Sequence, residues 1–147
     1  QDLSPSYMQY VDIIDDDNII NRIYANSEQL TKQVEFRIDW TFSPELTLQG
    51  YFQPFYADMK YLNYYELASP ETMDLEPFDY LLLNENPDFK WKNSVGTFVL
   101  RWEYNPGSTL FLVYNLNEYD YYSASDGSWS SGSSNALVFK LNYWLKI

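Results

Sequence analysis

The chain has 147 residues, room for one domain or for part of a larger one, and its 9 Lys and Arg against 21 Asp and Glu give a formal charge of -12. That charge repels a phosphate backbone, which excludes nucleic acid as a partner. The absence of His and Cys rules out a Ser-His-Asp triad and a disulfide framework and removes the commonest metal ligand, so no cofactor is expected.

Residues 1–30 are acidic, broken by Pro5 and only weakly periodic, and read mostly as loop, with a short strand available at 7–14. Asp12, Asp15, Asp16, Asp17 and Asn18 cluster there, and Asp15 and Asp17 are the candidate metal ligands. The spacing lacks the glycine and distal glutamate of a calcium-binding helix-loop-helix, so a solvated acidic loop is the expectation and no metal is assigned.

A hairpin is expected over 33–56. Val34, Phe36, Ile38, Trp40 and Phe42 alternate with Glu35, Arg37, Asp39 and Thr41, giving one apolar and one charged face. Ser43-Pro44-Glu45 turns the chain, and Leu46, Leu48, Gly50 and Phe52 then alternate with Thr47, Gln49, Tyr51 and Gln53. Pro54, which cannot donate to a ladder, ends or bends this strand.

Residues 57–92 show no sustained alternation and read as a long surface loop, with Ser69-Pro70-Glu71 suited to start a short helix. The loop is rich in rings, among them Tyr61, Tyr64, Tyr65, Phe78, Tyr80, Phe89 and Trp91. A second hairpin is expected over 95–117. Phe98, Leu100, Trp102 and Tyr104 form its first apolar face, Asn105-Pro106-Gly107-Ser108 its turn, and Leu110, Leu112, Tyr114 and Leu116 its second apolar face. The Pro-Gly centre predicts a type II turn, because glycine takes the positive φ that the third position requires. Residues 118–135, rich in Ser, Gly and Tyr, read as another surface loop.

The closing stretch, 136–147, alternates again. Leu137, Phe139, Leu141, Tyr143, Leu145 and Ile147 share one face, and Ala136, Val138, Lys140, Asn142, Trp144 and Lys146 the other. Chain ends fray unless paired, so this end is expected to lie within a sheet.

The connections alternate short, long, short, long, as in outer-membrane barrels with short periplasmic turns. The expected fold is therefore all-β: an antiparallel up-and-down transmembrane β-barrel segment, the C-terminal strands of a larger outer-membrane barrel. Long loops would be extracellular and the C-terminus periplasmic. Each strand supplies roughly the 9 to 11 residues that cross a bilayer at a tilt. No charge falls in the apolar set, where a Lys or Arg at the bilayer midplane costs roughly 2 to 4 kcal/mol. Trp40, Phe42, Trp102 and Tyr104 stand beside the short turns, where an aromatic girdle would sit, and the 20% aromatic content suits either such girdles or stacking platforms for sugars. Mean hydropathy of -0.44 does not oppose this, since barrel strands alternate and polar loops lower the average. Five strands fall short of the eight that close the smallest single-chain barrels. The expectation is that the chain is the C-terminal piece of a larger barrel cut in a loop, with assembly of several copies as the other route to closure.

Two stretches, FRIDWTFSPELTLQGYFQPFYADMKY and NSVGTFVLRWEYNPGSTLFLVYN, together with the closing strand, resemble the C-terminal barrel region of a Bacteroidetes-type outer-membrane protein family of undefined function. Its members carry an N-terminal module similar to family-9 carbohydrate-binding modules. The resemblance spans about residues 20–56 and 93–147 and is most specific over 99–114. It implies a barrel at the cell surface and carries over no catalytic residue.

Glu35, Arg37, Asp39, Arg101, Glu103 and Lys140 fall on the face opposite the apolar one, the expected barrel interior, where ion pairing across neighbouring strands accounts for them without catalysis. Paired carboxylates can hydrolyse glycosides, but no convincing catalytic constellation is present, and an enzyme is not expected. Tyr61, Tyr64, Tyr65, Tyr119, Tyr121, Tyr122 and Trp129 are the loop aromatics placed to stack on sugars. Expected partners are outer-membrane lipid and lipopolysaccharide, the remainder of the barrel or other chains completing it, and glycans. The expected function is anchoring or admitting material at the cell surface, linked to glycan binding or uptake. The alternative is a soluble, acidic, Tyr-rich β-sandwich that binds carbohydrate, with the apolar face as its core.

Overall fold

The computed structural model describes residues 2–16, 19–69, 72, 74–79, 81 and 85–145. Among these the chain is all-β, with nine strands: β1 (Asp2–Asp16), β2 (Ile19–Gln33), β3 (Phe36–Ser43), β4 (Leu46–Ser69), β5 (Asp74–Pro77), β6 (Phe89–Asn105), β7 (Ser108–Ser123), β8 (Ser128–Ser133) and β9 (Ala136–Asn142). They form one antiparallel sheet of order β1-β2-β4-β6-β7-β8, with β3 and β5 also on β4 and β9 also on β7. The sheet is not closed into a barrel.

β2 and β3 are nearly one strand, interrupted at Val34 and Glu35, and the Val34 N–H donates to the Pro54 carbonyl at 3.2 Å across the break. β8 and β9 are interrupted in the same way at Ser134 and Asn135. There the Ser134 N–H donates to the Asn117 carbonyl at 2.7 Å, and the Asn117 N–H donates to the Asn135 side-chain oxygen at 3.2 Å. Each gap loses regular ladder geometry but keeps its first N–H paired.

Both tight turns form where the sequence places them. Pro44 and Glu45 join β3 to β4, and Pro106 and Gly107 join β6 to β7. Gly107 has φ +79°, the value a type II turn demands at its third position. The chain beyond β9 folds against this turn. The Trp144 N–H donates to the fully buried Ser108 hydroxyl at 3.0 Å, and a Cβ on Gly107 would lie 3.1 Å from the Trp144 Cβ.

Three stretches read as loop are strand instead. Residues 1–30 hold the β1–β2 hairpin, in which register shifts between Ser4 and Tyr7 and between Tyr10 and Asp12 reset the alternation twice. A bulge adds a residue to one strand, so period-two patterning in the sequence is lost although pairing continues. In 57–92, β4 continues to Ser69, β5 pairs with it, and β6 begins at Phe89, leaving a much shorter connection than expected. Ser69, the expected helix start, is the last residue of β4; Pro70 and Glu71 lie outside the described residues. In 118–135, β7 runs to Ser123 and turns through 124–127 into β8. The closing strand pairs over Ala136–Asn142; Lys146 and Ile147 lie outside the described residues.

Contacts divide the chain into two compact units. Unit 1 comprises Gln1–Lys32, Ala57–Trp91 and Tyr121–Ser130; unit 2 comprises Gln33–Tyr56, Lys92–Asp120 and Ser131–Ile147. Unit 1 contains the buried apolar side chains among the described residues: Ile23 and Ala25, two apart on β2 and so on one face, and Ala57 of β4. The buried side chain of unit 2 is the polar Ser108.

Candidate functional site

Among the described residues, unit 2 presents an apolar face that nothing in the unit covers. Register places Phe36 opposite Phe52, Ile38 opposite Gly50 and Trp40 opposite Leu48, so these residues point the same way. On the other side of the unit, Leu110, Leu112 and Tyr114 stand opposite Leu141, Phe139 and Leu137. Phe98 of β6 lies against Gly50, where a Cβ would meet its ring at 3.0 Å, and Gly96 lies between the rings of Phe52 and Phe98. The faces expected from alternation are thus the faces that pair. The β3 and β9 members stay open, with Trp40 60% exposed, Phe139 64% and Leu141 55%, while Leu48, Phe52, Phe98, Leu110 and Leu112 are half-buried. Aromatic pairs flank both tight turns, Trp40 stacked on Phe42 at 5.4 Å and Trp102 edge-on to Tyr104 at 6.0 Å.

The opposite face carries the expected charges, but their pairing differs from expectation. The ion pairs run along strands: Arg37 to Glu35 at 2.6 Å and Arg101 to Glu103 at 3.0 Å. Alternate residues of a strand lie ~7 Å apart on one face, within reach of an arginine side chain. Across the strands, Arg37 meets the Tyr51 ring at 5.5 Å, and Asp39 accepts from the Gln49 amide at 3.1 Å. Lys140 stands opposite Phe111, with no ion pair among the described residues. Glu103 also accepts from the Gly107 N–H at 3.1 Å, and its own N–H donates to the Glu45 carbonyl at 2.8 Å, tying the two tight turns together.

Unit 1 holds a cleft of about 520 Å³ between the latter part of β4 and the segment leading into β6. Neighbours in a regular strand point to opposite faces, yet the four consecutive residues 61–64 all line this cleft. The cause is Asn63, which has φ +51° within β4. Asparagine is among the few side chains that tolerate the left-handed region. Tyr61, Tyr64 and Phe78 supply rings, and Asp79, Asn86 and Asp88 supply polar atoms.

Those polar side chains are held by the backbone. Asp88 accepts the Tyr61 N–H through Oδ1 at 2.8 Å, Asp79 accepts the Leu81 N–H through Oδ1 at 3.1 Å, and Asn86 accepts the Asp88 N–H at 3.0 Å. The Phe78 N–H donates to the Tyr64 carbonyl at 2.9 Å, and the Ala124 N–H to the Asp88 carbonyl at 3.0 Å. Burial, reinforced by the nearby Asp88 carboxylate, pushes the Tyr61 phenol above its ordinary range, so it remains a protonated donor.

The loop aromatics named from the sequence divide among several places. Tyr61 and Tyr64 line the cleft, and Tyr65 pairs with Pro77 in the β4–β5 ladder. Tyr121 stacks on Phe89 at 5.8 Å and meets Trp91 edge-on at 6.1 Å, while Tyr122 packs on Trp129 at 5.2 Å. Lys90 lies over the Tyr122 ring at 5.9 Å and 3.8 Å from Asp58. Tyr119 belongs to unit 2, where its ring occupies the space a Cβ on Gly132 would take, 2.5 Å away. That packing of an aromatic over a strand glycine gives Tyr119 a structural role. Tyr80 lies outside the described residues.

The sequence reading did not single out Asn63, Asp79, Asn86 or Asp88. Asn86-Pro87-Asp88 is a turn-forming triplet whose side chains bond nearby backbone, and it was the available signal. Of the candidate metal ligands, Asp15 pairs with Ile20 in the β1–β2 ladder and Asp17 lies outside the described residues. Among the described residues no three His, Cys, Asp or Glu converge on one point. No family model, curated protein or solved structure matches the chain.

Proposed function

We propose that the chain is a segment of a bacterial outer-membrane β-barrel that anchors or admits material at the cell surface. The observation that carries this reading is the uncovered apolar face of unit 2. Its contiguous Phe, Trp, Leu and Ile side chains include no charge, and burying such a side chain fully stabilises by about 1.5 to 3 kcal/mol. Patches this extended mark a partner or a membrane. Acyl chains suit this one because the surface is a sheet face bordered at both tight turns by Trp, Phe and Tyr, while Arg, Lys, Glu and Asp fall on the reverse side. In this arrangement the reverse face looks into an aqueous interior, the tight turns lie in the periplasm, and lipopolysaccharide borders the other end of the strands.

The free edges of an unclosed sheet imply that further strands, from more of the same protein or from other copies, complete the wall. Extraction tests the reading: the protein is expected to stay with membranes through high-salt and alkaline washes and to leave only with detergent. Recovery as a monomer in buffer would overturn it.

A further inference from the structure

The cleft of unit 1 has the makings of a ligand site whose chemistry its own residues restrict. Its volume, about 520 Å³, falls in the range of ~300 to 1,000 Å³ typical of small-molecule clefts. Among the described residues two carboxylates, Asp79 and Asp88, line it and no Lys or Arg does; Lys60 and Lys90 share with Asp88 a smaller pocket beside it, where Lys90 is engaged by Asp58 at 3.8 Å. Each carboxylate is fixed by a backbone N–H through Oδ1, leaving its second oxygen to accept from a ligand. Asn86 is likewise fixed through its oxygen, leaving its amide to donate. These bonds restrict the three side chains before a ligand arrives, which reduces the ordering cost of binding.

Three rings, Tyr61, Tyr64 and Phe78, complete the wall. Aromatic faces attract both the apolar face of a pyranose and a cationic group. Two carboxylates in a cleft whose described lining holds no cation disfavour phosphate, sulfate and uronate groups. Their spare oxygens form strong charge-assisted bonds with an ammonium group.

We infer that the cleft bounded by Tyr61, Tyr64, Phe78, Asp79, Asn86 and Asp88 binds an amine-bearing saccharide, a hexosamine unit with a free amino group. Asp79 and Asp88 take the ammonium and adjoining hydroxyls, the Asn86 amide donates to a ring or hydroxyl oxygen, and the aromatic rings pack on the sugar face. Asn63 is a positioning residue: its left-handed backbone brings Tyr61 and Tyr64 to the same cleft. The inference does not depend on where unit 2 resides, because every residue it uses belongs to unit 1.

Calorimetric titration of the full chain, purified in whichever solution extracts it, with three oligosaccharides of equal length tests the site. The probes are a hexosamine oligomer, its N-acetylated form and a hexuronate oligomer. The amine form is expected to bind at least about tenfold more tightly than the uronate, with the N-acetylated form between them. Asp88→Asn, which keeps the oxygen that accepts the Tyr61 N–H, is expected to weaken the amine form about tenfold and the N-acetylated form less than about twofold. Glu28→Gln, on β2 and outside the cleft, is expected to leave all three unchanged. Equal or tighter binding of the uronate, no binding of the amine form, or an unaltered affinity in Asp88→Asn overturns the inference, whether or not the protein requires detergent.

Discussion

Units 1 and 2 draw on the same aromatic-rich composition and use it in opposite ways. Unit 1 turns its rings onto one another and onto lysine, with Phe89, Trp91 and Tyr121 in one cluster and Tyr122, Trp129 and Lys90 in another, and it buries Ile23, Ala25 and Ala57. Unit 2 keeps Trp40, Phe42, Phe139 and Leu141 open, and its buried side chain is a serine. The first arrangement suits a part that stabilises itself in water. The second leaves its main apolar surface exposed among the described residues.

The contrast can be broken most forcefully at the side chains that define it. Ile23→Ala, at a fully buried site, is expected to destabilise the protein by about 2 to 5 kcal/mol, and Ile38→Ala, on the open face, by far less. Denaturant midpoints of the two variants in the same detergent measure the difference; equal losses would show that unit 2 has a core of its own.

Next in size, Leu141→Lys is expected to abolish membrane assembly, at roughly 2 to 4 kcal/mol near the bilayer midplane, while Asn142→Lys on the reverse face is tolerated. Membrane fractionation and heat-modified gel mobility report both. A water-facing sheet would accept Leu141→Lys within about 0.5 kcal/mol, so equal behaviour of the pair removes the lipid-facing side.

Gly107→Ala should cost about 1 to 2 kcal/mol, because its φ of +79° disfavours any Cβ and that Cβ would press on Trp144. A shifted unfolding midpoint with an unchanged slope is the expected reading. The smallest effect is expected at Asn63→Gly, a change of a few tenths of a kcal/mol or less, since both residues accept the left-handed backbone. Asn63→Val should instead cost about 1 to 3 kcal/mol.

The same contrast explains what the sequence made legible. Unit 2 was readable because its strands face two chemically different sides: Phe36, Ile38 and Trp40 against Arg37 and Asp39, with Pro44 and Pro106-Gly107 fixing the turns through backbone geometry. The faces were legible, but the register that sets Leu112 opposite Phe139 is given by the structure alone. Unit 1 hid its strands for identifiable reasons. Bulges in β1 shift the phase of its alternation, and Asn63 disrupts that of β4. In 118–123 the sides of the strand differ little in polarity, although Asp126-Gly127 was a usable hairpin signal before Ser128. The cleft was legible only in part. Tyr61 and Tyr64 stood out as aromatics, but Asp79, Asn86 and Asp88 gain their roles from backbone bonds that composition does not reveal.

Strand order in the sheet follows strand order in the chain, from β1 through β2, β4, β6 and β7 to β8 and β9. Every ladder therefore joins segments that are near neighbours in sequence, and closing the loop between them costs little chain entropy. Such a sheet can grow one hairpin at a time, each new strand docking on the edge left by the one before. A nascent chain built this way never has to hold a distant partner open, although the outer edge of β1 stays available for pairing throughout.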